Sequence, residues 1–188
     1  MLAAIEILVL CTGNICRSPM AEALLRHHVA ARGVDATVSS AGLLYDDAEA
    51  SANAVTVLGR RGLDLSAHRS RKITADLLQR PDLVLAMERR HVREAVVLAP
   101  AIFPRTFTLK ELVRRGERIG HRLPHESVAA WLGRAGLGRR PSDVLGAGTD
   151  DDVEDPIGRP VEDYHRTADE LDDLTSRLVD LLWGKTEA

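Results

Sequence analysis

The sequence predicts an α/β fold: three layers, α/β/α, around a central four-stranded parallel twisted sheet. Three observations carry that expectation. Short apolar runs alternate with segments of helical spacing, the pattern of strand–helix–strand crossovers in a parallel sheet covered on both faces. The first run, Ile5–Leu10, lacks polar alternation, as a strand buried on both faces should. It leads straight into a short loop with Gly13 and Asn14, after which Pro19 begins a helix.

The elements follow in order. Ile5–Leu10 is the first strand. Pro19–Arg32 is a helix, with Met20, Ala23, Leu24, His27, His28 and Ala31 near helical spacing and Gly33 as its stop. Ser18 precedes it as an N-cap, and Pro19 suits the first helical position. Ala36–Ser40 is a short strand. Glu49–Arg61 is a helix stopped by Gly62, with Ala54, Val55 and Leu58 inward. Thr74–Gln79 is a short helix ended by Pro81. Leu83–Met87 is a buried strand, and Arg89–Leu98 a helix ended by Pro100. Thr106–Leu109 is the fourth strand. Val161–Trp183 is the last helix, with Tyr164, Leu171, Leu174, Leu178, Leu181 and Leu182 on one stripe. There is no internal repeat.

Composition bounds the function. A chain of 188 residues suits one domain with a sizeable core. A formal charge of -3 argues against general nucleic-acid binding. No run approaches the ~20 apolar residues of a membrane span, and Met1–Leu10 lacks the features of a signal peptide. The two cysteines share one loop, so no disulfide framework is implied and a reducing cytoplasm is the simplest compartment. The seven histidines show no metal-ligand spacing; His27, His28 and His68 read as helix or loop residues.

Residues 110–149 stand apart. Lys110 to Arg140 holds eight Lys/Arg against three Asp/Glu, followed by Gly- and Ser-rich chain. Glu126–Arg134 can form a helix with Val128, Trp131 and Leu132 on its apolar face. The simple expectation is a solvated excursion; the sharper one is a lid or a docking element for an acidic partner.

The chemistry concentrates in Cys11-Thr12-Gly13-Asn14-Ile15-Cys16-Arg17-Ser18. Loop amides and a helix N-terminus converge on one point, which makes a phosphate-binding loop after the first strand. The same positive field favours the thiolate of Cys11 as a nucleophile. The planar fork of Arg17 suits two phosphoryl oxygens. Gly13 allows a turn that a side chain would block, and Asn14 tolerates left-handed backbone. Asp155, followed by Pro156, is a candidate general acid within an acid-rich stretch.

The long string from Cys11 through Pro19 and Glu22 resembles that of the low-molecular-weight protein tyrosine phosphatases of bacterial type. Ser39–Gly42, Gly62–Arg71, Asp82–Glu88 and Asp155–Pro156 resemble further segments of that family, so the likeness covers roughly residues 4–112 and 150–183. Residues 110–149 then look like an insertion before the Asp-Pro loop of a single phosphatase domain spanning 1–188. The resemblance implies hydrolysis of protein phosphotyrosine through a phosphocysteine intermediate, without metal or cofactor. Cys11, Arg17 and Asp155 would be catalytic, and Thr12 to Ser18 would bind the phosphate. In the family the Ser assists the thiolate, the Asn props the loop open, and the second Cys can form a protective disulfide with the nucleophile; these roles fall to Ser18, Asn14 and Cys16. Ile15, Tyr45 and Ile157 would line the substrate pocket. Ile157 stands where the family commonly has an aromatic ring, which leaves a protein arginine phosphatase as the alternative; such enzymes tend to carry Thr at the place of Ile15. A thioredoxin-coupled arsenate reductase would need further shuttle cysteines, and a non-catalytic phosphate-binding regulator would not need the whole Cys–Arg–Asp set. The implied partner is a phosphorylated protein, or phosphate itself, with neither nucleic acid nor membrane.

Overall fold

Strand β1 (Ile5–Cys11) is the hub of the computed structural model, which describes residues 4–146 and 148–184. β2 (Ala36–Gly42) pairs with it on one side and β3 (Leu83–Ala86) on the other, both parallel. β4 (Thr106–Thr108) pairs in parallel with β3, giving the order β2-β1-β3-β4. Registers set Cys11 beside Gly42 and Leu10 beside Ala86.

Strand geometry splits the apolar residues of β1 between two cores. Ile7, Val9 and Cys11 join one cluster with α1 (Arg17–Arg32), α2 (Ala52–Gly59), α5 (Leu109–Ile119), α6 (Val128–Ala135) and α7 (Val161–Trp183). Leu8 and Leu10 join the other, with α3 (Ala75–Gln79) and α4 (Arg89–Leu98). The three layers and the four-stranded parallel sheet are thus as the sequence predicts.

The differences are local. Helix α1 begins at Arg17, two residues early, and its N-cap position is Cys16 with no side-chain cap. Ser18 is not the cap, because its hydroxyl is taken by Cys11 and Asn14. The buried stripe of α1 is Met20, Ala21, Leu24, Leu25 and Val29; His27 and Ala31, expected inward, lie outside it. Helix α2 is shorter than 49–61, because Ser51 caps it by accepting from the Ala54 N–H. β2 runs two residues further than expected, and β3 and β4 each stop one residue earlier.

Residues 110–149 do not form a solvated excursion throughout. Leu112, Val113, Trp131, Leu132 and Ala135 are buried in the first cluster. Gly116 is the contact point: a Cβ there would lie 2.8 Å from Leu181 and 2.9 Å from Trp131. The Trp131 indole N–H donates to the Gly120 carbonyl at 3.0 Å, satisfying its polar edge. Among the described residues no helix is long and apolar enough to cross a membrane.

Candidate active site

The chain leaves β1 for β2 on one side and reaches β3 on the other, so a crevice forms at the carboxyl end of β1. Cys11 is the last residue of that strand and is 3% exposed. The next five residues curl above it. Three of their carbonyls bond outside the loop: Thr12 O accepts from the N–H groups of Leu43 and Leu44, Asn14 O from His68 Nε2 at 2.7 Å, and Ile15 O from the Ser51 N–H. With these carbonyls bonded outward, loop amides are free to face the interior, as in anion-binding nests. The Asn14 N–H lies 3.2 Å from Cys11 Sγ and donates to it.

Asn14 holds the curl. Its φ is 53°, in the left-handed region, and its side chain is fully buried. Its Oδ1 accepts from the Arg71 N–H at 3.0 Å, which fixes the amide's orientation. Nδ2 then donates to Ser18 Oγ (3.0 Å) and Ser40 Oγ (2.8 Å). Ser40 passes its own proton to Glu22 Oε2 at 2.5 Å, and Ser18 Oγ lies 3.0 Å from Cys11 Sγ, where it can donate once the sulfur is a thiolate. Gly42 lets this loop close over β2. A Cβ there would lie 2.8 Å from the Asn14 backbone N and 2.9 Å from the Gly13 carbonyl carbon.

Arg17 is 1% exposed and ringed by acceptors. Nη1 donates to Glu88 and to the Val153 carbonyl at 2.9 Å; Nη2 donates to Asp155 Oδ2 at 2.5 Å. Nε is buried and has no partner among the described residues. A buried guanidinium N–H without an acceptor is costly unless an oxyanion completes it. Burial would raise the Glu88 carboxyl, but the Arg17 hydrogen bond and charge, helped by His91 and Arg90, hold it below its ordinary value.

Thr12 is the meeting point of a second network. The Glu88 N–H donates to His91 Nδ1 at 3.1 Å, so the ring proton sits on Nε2 and donates to Thr12 Oγ1 at 2.9 Å. Arg90 Nη2 donates to the same oxygen at 2.5 Å. Burial drives His91 down from 6.5 to about 3, against the pull of Glu88, so the ring is neutral. Cys16 is also buried; desolvation, with Asp155 and Cys11 nearby, raises its thiol to about 12. It is a neutral thiol at ordinary pH.

Above Cys11 opens a cavity of about 100 Å³. Its lining includes Thr12, Gly13, Ile15, Cys16, Arg17 and Asp155, with Leu44, Tyr45 and Ile157 half exposed at the mouth. The Tyr45 ring lies over Gly13, where a Cβ would be 3.0 Å from its ring carbons. The structure therefore brings every residue singled out in the sequence, Cys11 to Ser18 with Tyr45, Asp155 and Ile157, to one end of β1. Sequence reasoning gave no role to Glu22, Ser40, Arg71, Glu88, Arg90 and His91, although the first four lie in the segments that carry the resemblance. Their signal was position: Ser40 near the carboxyl end of β2, Glu88 to His91 just after β3, where α/β sheets hold ligands. No described residue of 110–149 lines the cavity. Among the described residues no cluster of His, Cys, Asp or Glu is placed to hold a metal ion.

A parallel α/β sheet with a thiol and an arginine in an anion-cradling loop is the arrangement that a cysteine-dependent phosphatase requires. Residues 6–124 match the family of low molecular weight phosphotyrosine protein phosphatases, and the chain belongs to that family. It is 35% identical over 178 residues to a protein-arginine-phosphatase of Geobacillus stearothermophilus, covering 94% of this chain and 95% of that protein. It is 37% identical over 112 residues to the low molecular weight protein-tyrosine-phosphatase Etp of Escherichia coli K12, covering 60% of this chain and 74% of that one. Among solved structures, a low molecular weight protein tyrosine phosphatase from T. tengcongensis superposes with a TM-score of 0.73 at 34% identity, covering 95% of this chain and all of that one.

Proposed function

We propose that this phosphatase hydrolyses phosphotyrosine in phosphorylated proteins through a phosphocysteine intermediate, with the phosphoryl group seated in the Thr12–Ser18 loop. The observation that carries the reading is the Cys11 thiol beneath a largely apolar-walled cavity, beside a buried Arg17 Nε that has no partner among the described residues. Cys11 attacks phosphorus as thiolate, and the bond from phosphorus to the tyrosyl oxygen breaks. Asp155 gives its proton to that oxygen; tyrosine is a poor leaving group because its phenol pKa is ~10. Loop amides and Arg17 hold the negative oxygens. Water then attacks the phosphocysteine, Asp155 takes its proton, and the sulfur leaves as thiolate stabilised by the Ser18 hydroxyl 3.0 Å away.

The described residues make up one phosphatase domain, to which residues 110–149 contribute core. Cys16, which lines the same cavity, is the candidate partner for a protective disulfide with Cys11; both are free thiols, as a reducing cytoplasm would leave them. A second reading, action on phosphoarginine, is favoured by the Geobacillus relative and by a Bacillus subtilis protein-arginine-phosphatase that matches 93% of this chain. Ile15 separates the two, since its methyls favour a phenyl ring over a guanidinium. Turnover of matched phosphotyrosine and phosphoarginine peptides tests this: phosphotyrosine is expected to win, and preference for phosphoarginine overturns the assignment. Turnover surviving in Cys11→Ser would sink the covalent mechanism itself.

A further inference from the structure

Residues 150–155 carry five carboxylates in six positions, a stretch that should repel itself. Four of the five are taken up, three by different helices and one within the loop. Asp151 meets Arg114 of α5 through both edges, Nε to Oδ1 at 3.1 Å and Nη2 to Oδ2 at 2.7 Å. Asp152 Oδ1 accepts from the Arg89 N–H at 2.8 Å, at the first residue of α4. Glu154 pairs with Arg159, and Asp155 with Arg17. Between them Val153 is buried, its N–H donating to Met87 O and its carbonyl accepting from Arg17.

We infer that Arg114 and Asp151 are positioning residues for the general acid: their ion pair fixes the path of residues 151–155 and so the place of Asp155. This rests on the role proposed for Asp155. Asp151 is 13% exposed, so its carboxylate is largely screened from water and depends on its partner. The forked geometry fixes direction as well as distance, which a single contact does not. Asp155 lies only four residues beyond, and Val153 turns the chain onto Arg17 on the way. The inference also gives the basic segment a role. Its arginines do not rim the pocket; Arg114 steers the loop that does.

The experiment compares two substrates in Arg114→Ala and Asp151→Asn. Phenyl phosphate has a poor leaving group that needs the acid. An aryl phosphate of a strongly acidic phenol leaves unaided. A displaced acid should lower kcat on phenyl phosphate about tenfold, part of the ~10²–10⁴-fold that general acid catalysis supplies, and change the activated substrate less than about twofold. The charge swap Arg114→Asp with Asp151→Arg should restore most of the lost rate. Equal losses on both substrates, no loss on either, or a swap that rescues nothing would overturn the inference. Asp155→Asn on the same pair separates the two levels. If it shows no leaving-group dependence, the role of Asp155 falls; if it does and Arg114→Ala does not, only the positioning inference falls.

Discussion

Asn14 offers the sharpest test of how the loop is held, because two substitutions remove the same side chain and differ in backbone cost. Either Ala or Gly leaves the half-buried Arg71 N–H without its acceptor and deprives Ser18 and Ser40 of a donor. A fully buried orphan N–H costs about 1–3 kcal/mol, so this half-buried one costs about 1 kcal/mol; with each lost donation at about 0.5–1.5 kcal/mol, the shared loss is roughly 2–4 kcal/mol. The backbone φ of 53° then separates the variants. Alanine in the left-handed region costs about 1–2 kcal/mol that glycine does not. Glycine's freer unfolded chain takes back about 0.4–1 kcal/mol. The net gap is therefore about 1 kcal/mol in favour of Gly. With a urea slope near ~2 kcal/mol/M, the Gly variant should unfold about half a molar later than the Ala variant. Both should sit well below the parent, yet stay folded if the parent has the usual ~5–15 kcal/mol. Turnover should fall alike in both, because Ser18 loses the same donor in each. Superimposed urea curves would refute the backbone argument, and parent-like stability in both would refute the network.

Gly42→Ala should cost at least about tenfold in activity, because its methyl meets loop backbone at 2.8–2.9 Å, whereas Gly13→Ala meets the half-exposed Tyr45 ring, which can swing aside; similar activities would contradict this. His91 is held neutral, down from 6.5 to about 3, so on acidification the unfolded chain takes up the proton first. Its contribution is fully present above ~6.5 and drains as pH falls toward about 3, at up to ~1.4 kcal/mol per unit. Urea midpoints measured between about pH 6.5 and 4 should fall less steeply in His91→Gln than in the parent, and parallel slopes would rule this out. Cys16 stays a thiol with its value raised to about 12, so iodoacetamide near neutral pH should label Cys11 first, with Cys16→Ser leaving that rate unchanged; early labelling of Cys16 in mass spectra would contradict it.

What the sequence could and could not reveal divides along a physical line. The layers were legible because burial imposes a period: Ile5–Leu10 reads as a strand covered on both faces, and the stripe of α7 repeats at helical spacing over 23 residues. The inward face of α1 was misread because its apolar content is diluted; Ala, His and Arg fill both faces, and the buried end includes Arg17 and Ser18, which are there for the site and not for the core. Residues 110–149 were read as largely solvated because eight cations dominate the count. In the structure five of those cations lie on α5 and α6 and three, Arg122, Arg139 and Arg140, in the connections; four of the eight pair with Glu111, Glu126 or Asp151, around a buried stripe of Leu112, Val113 and Trp131. Charge counting sees the rim of an amphipathic helix and misses its face.

The candidate site shows the same division more sharply. Its centre was legible because a contiguous string, Cys11 to Ser18, supplies thiol, amides and arginine together. Its supports were not, because they converge from separate elements: Ser40 from β2, Arg71 from the following loop, Glu88 and His91 from the end of β3 and the start of α4. No local pattern links them, since the hydrogen bonds that join them to the loop cross long sequence separations. Yet these supports orient the loop's donors: Arg71 and Ser40 fix Asn14 Nδ2 as a donor toward Ser18, whose hydroxyl lies 3.0 Å from Cys11 Sγ and can donate to its thiolate. The reaction class is therefore written in one loop, while the proton bookkeeping that lets the loop work is written across the sheet's carboxyl edge.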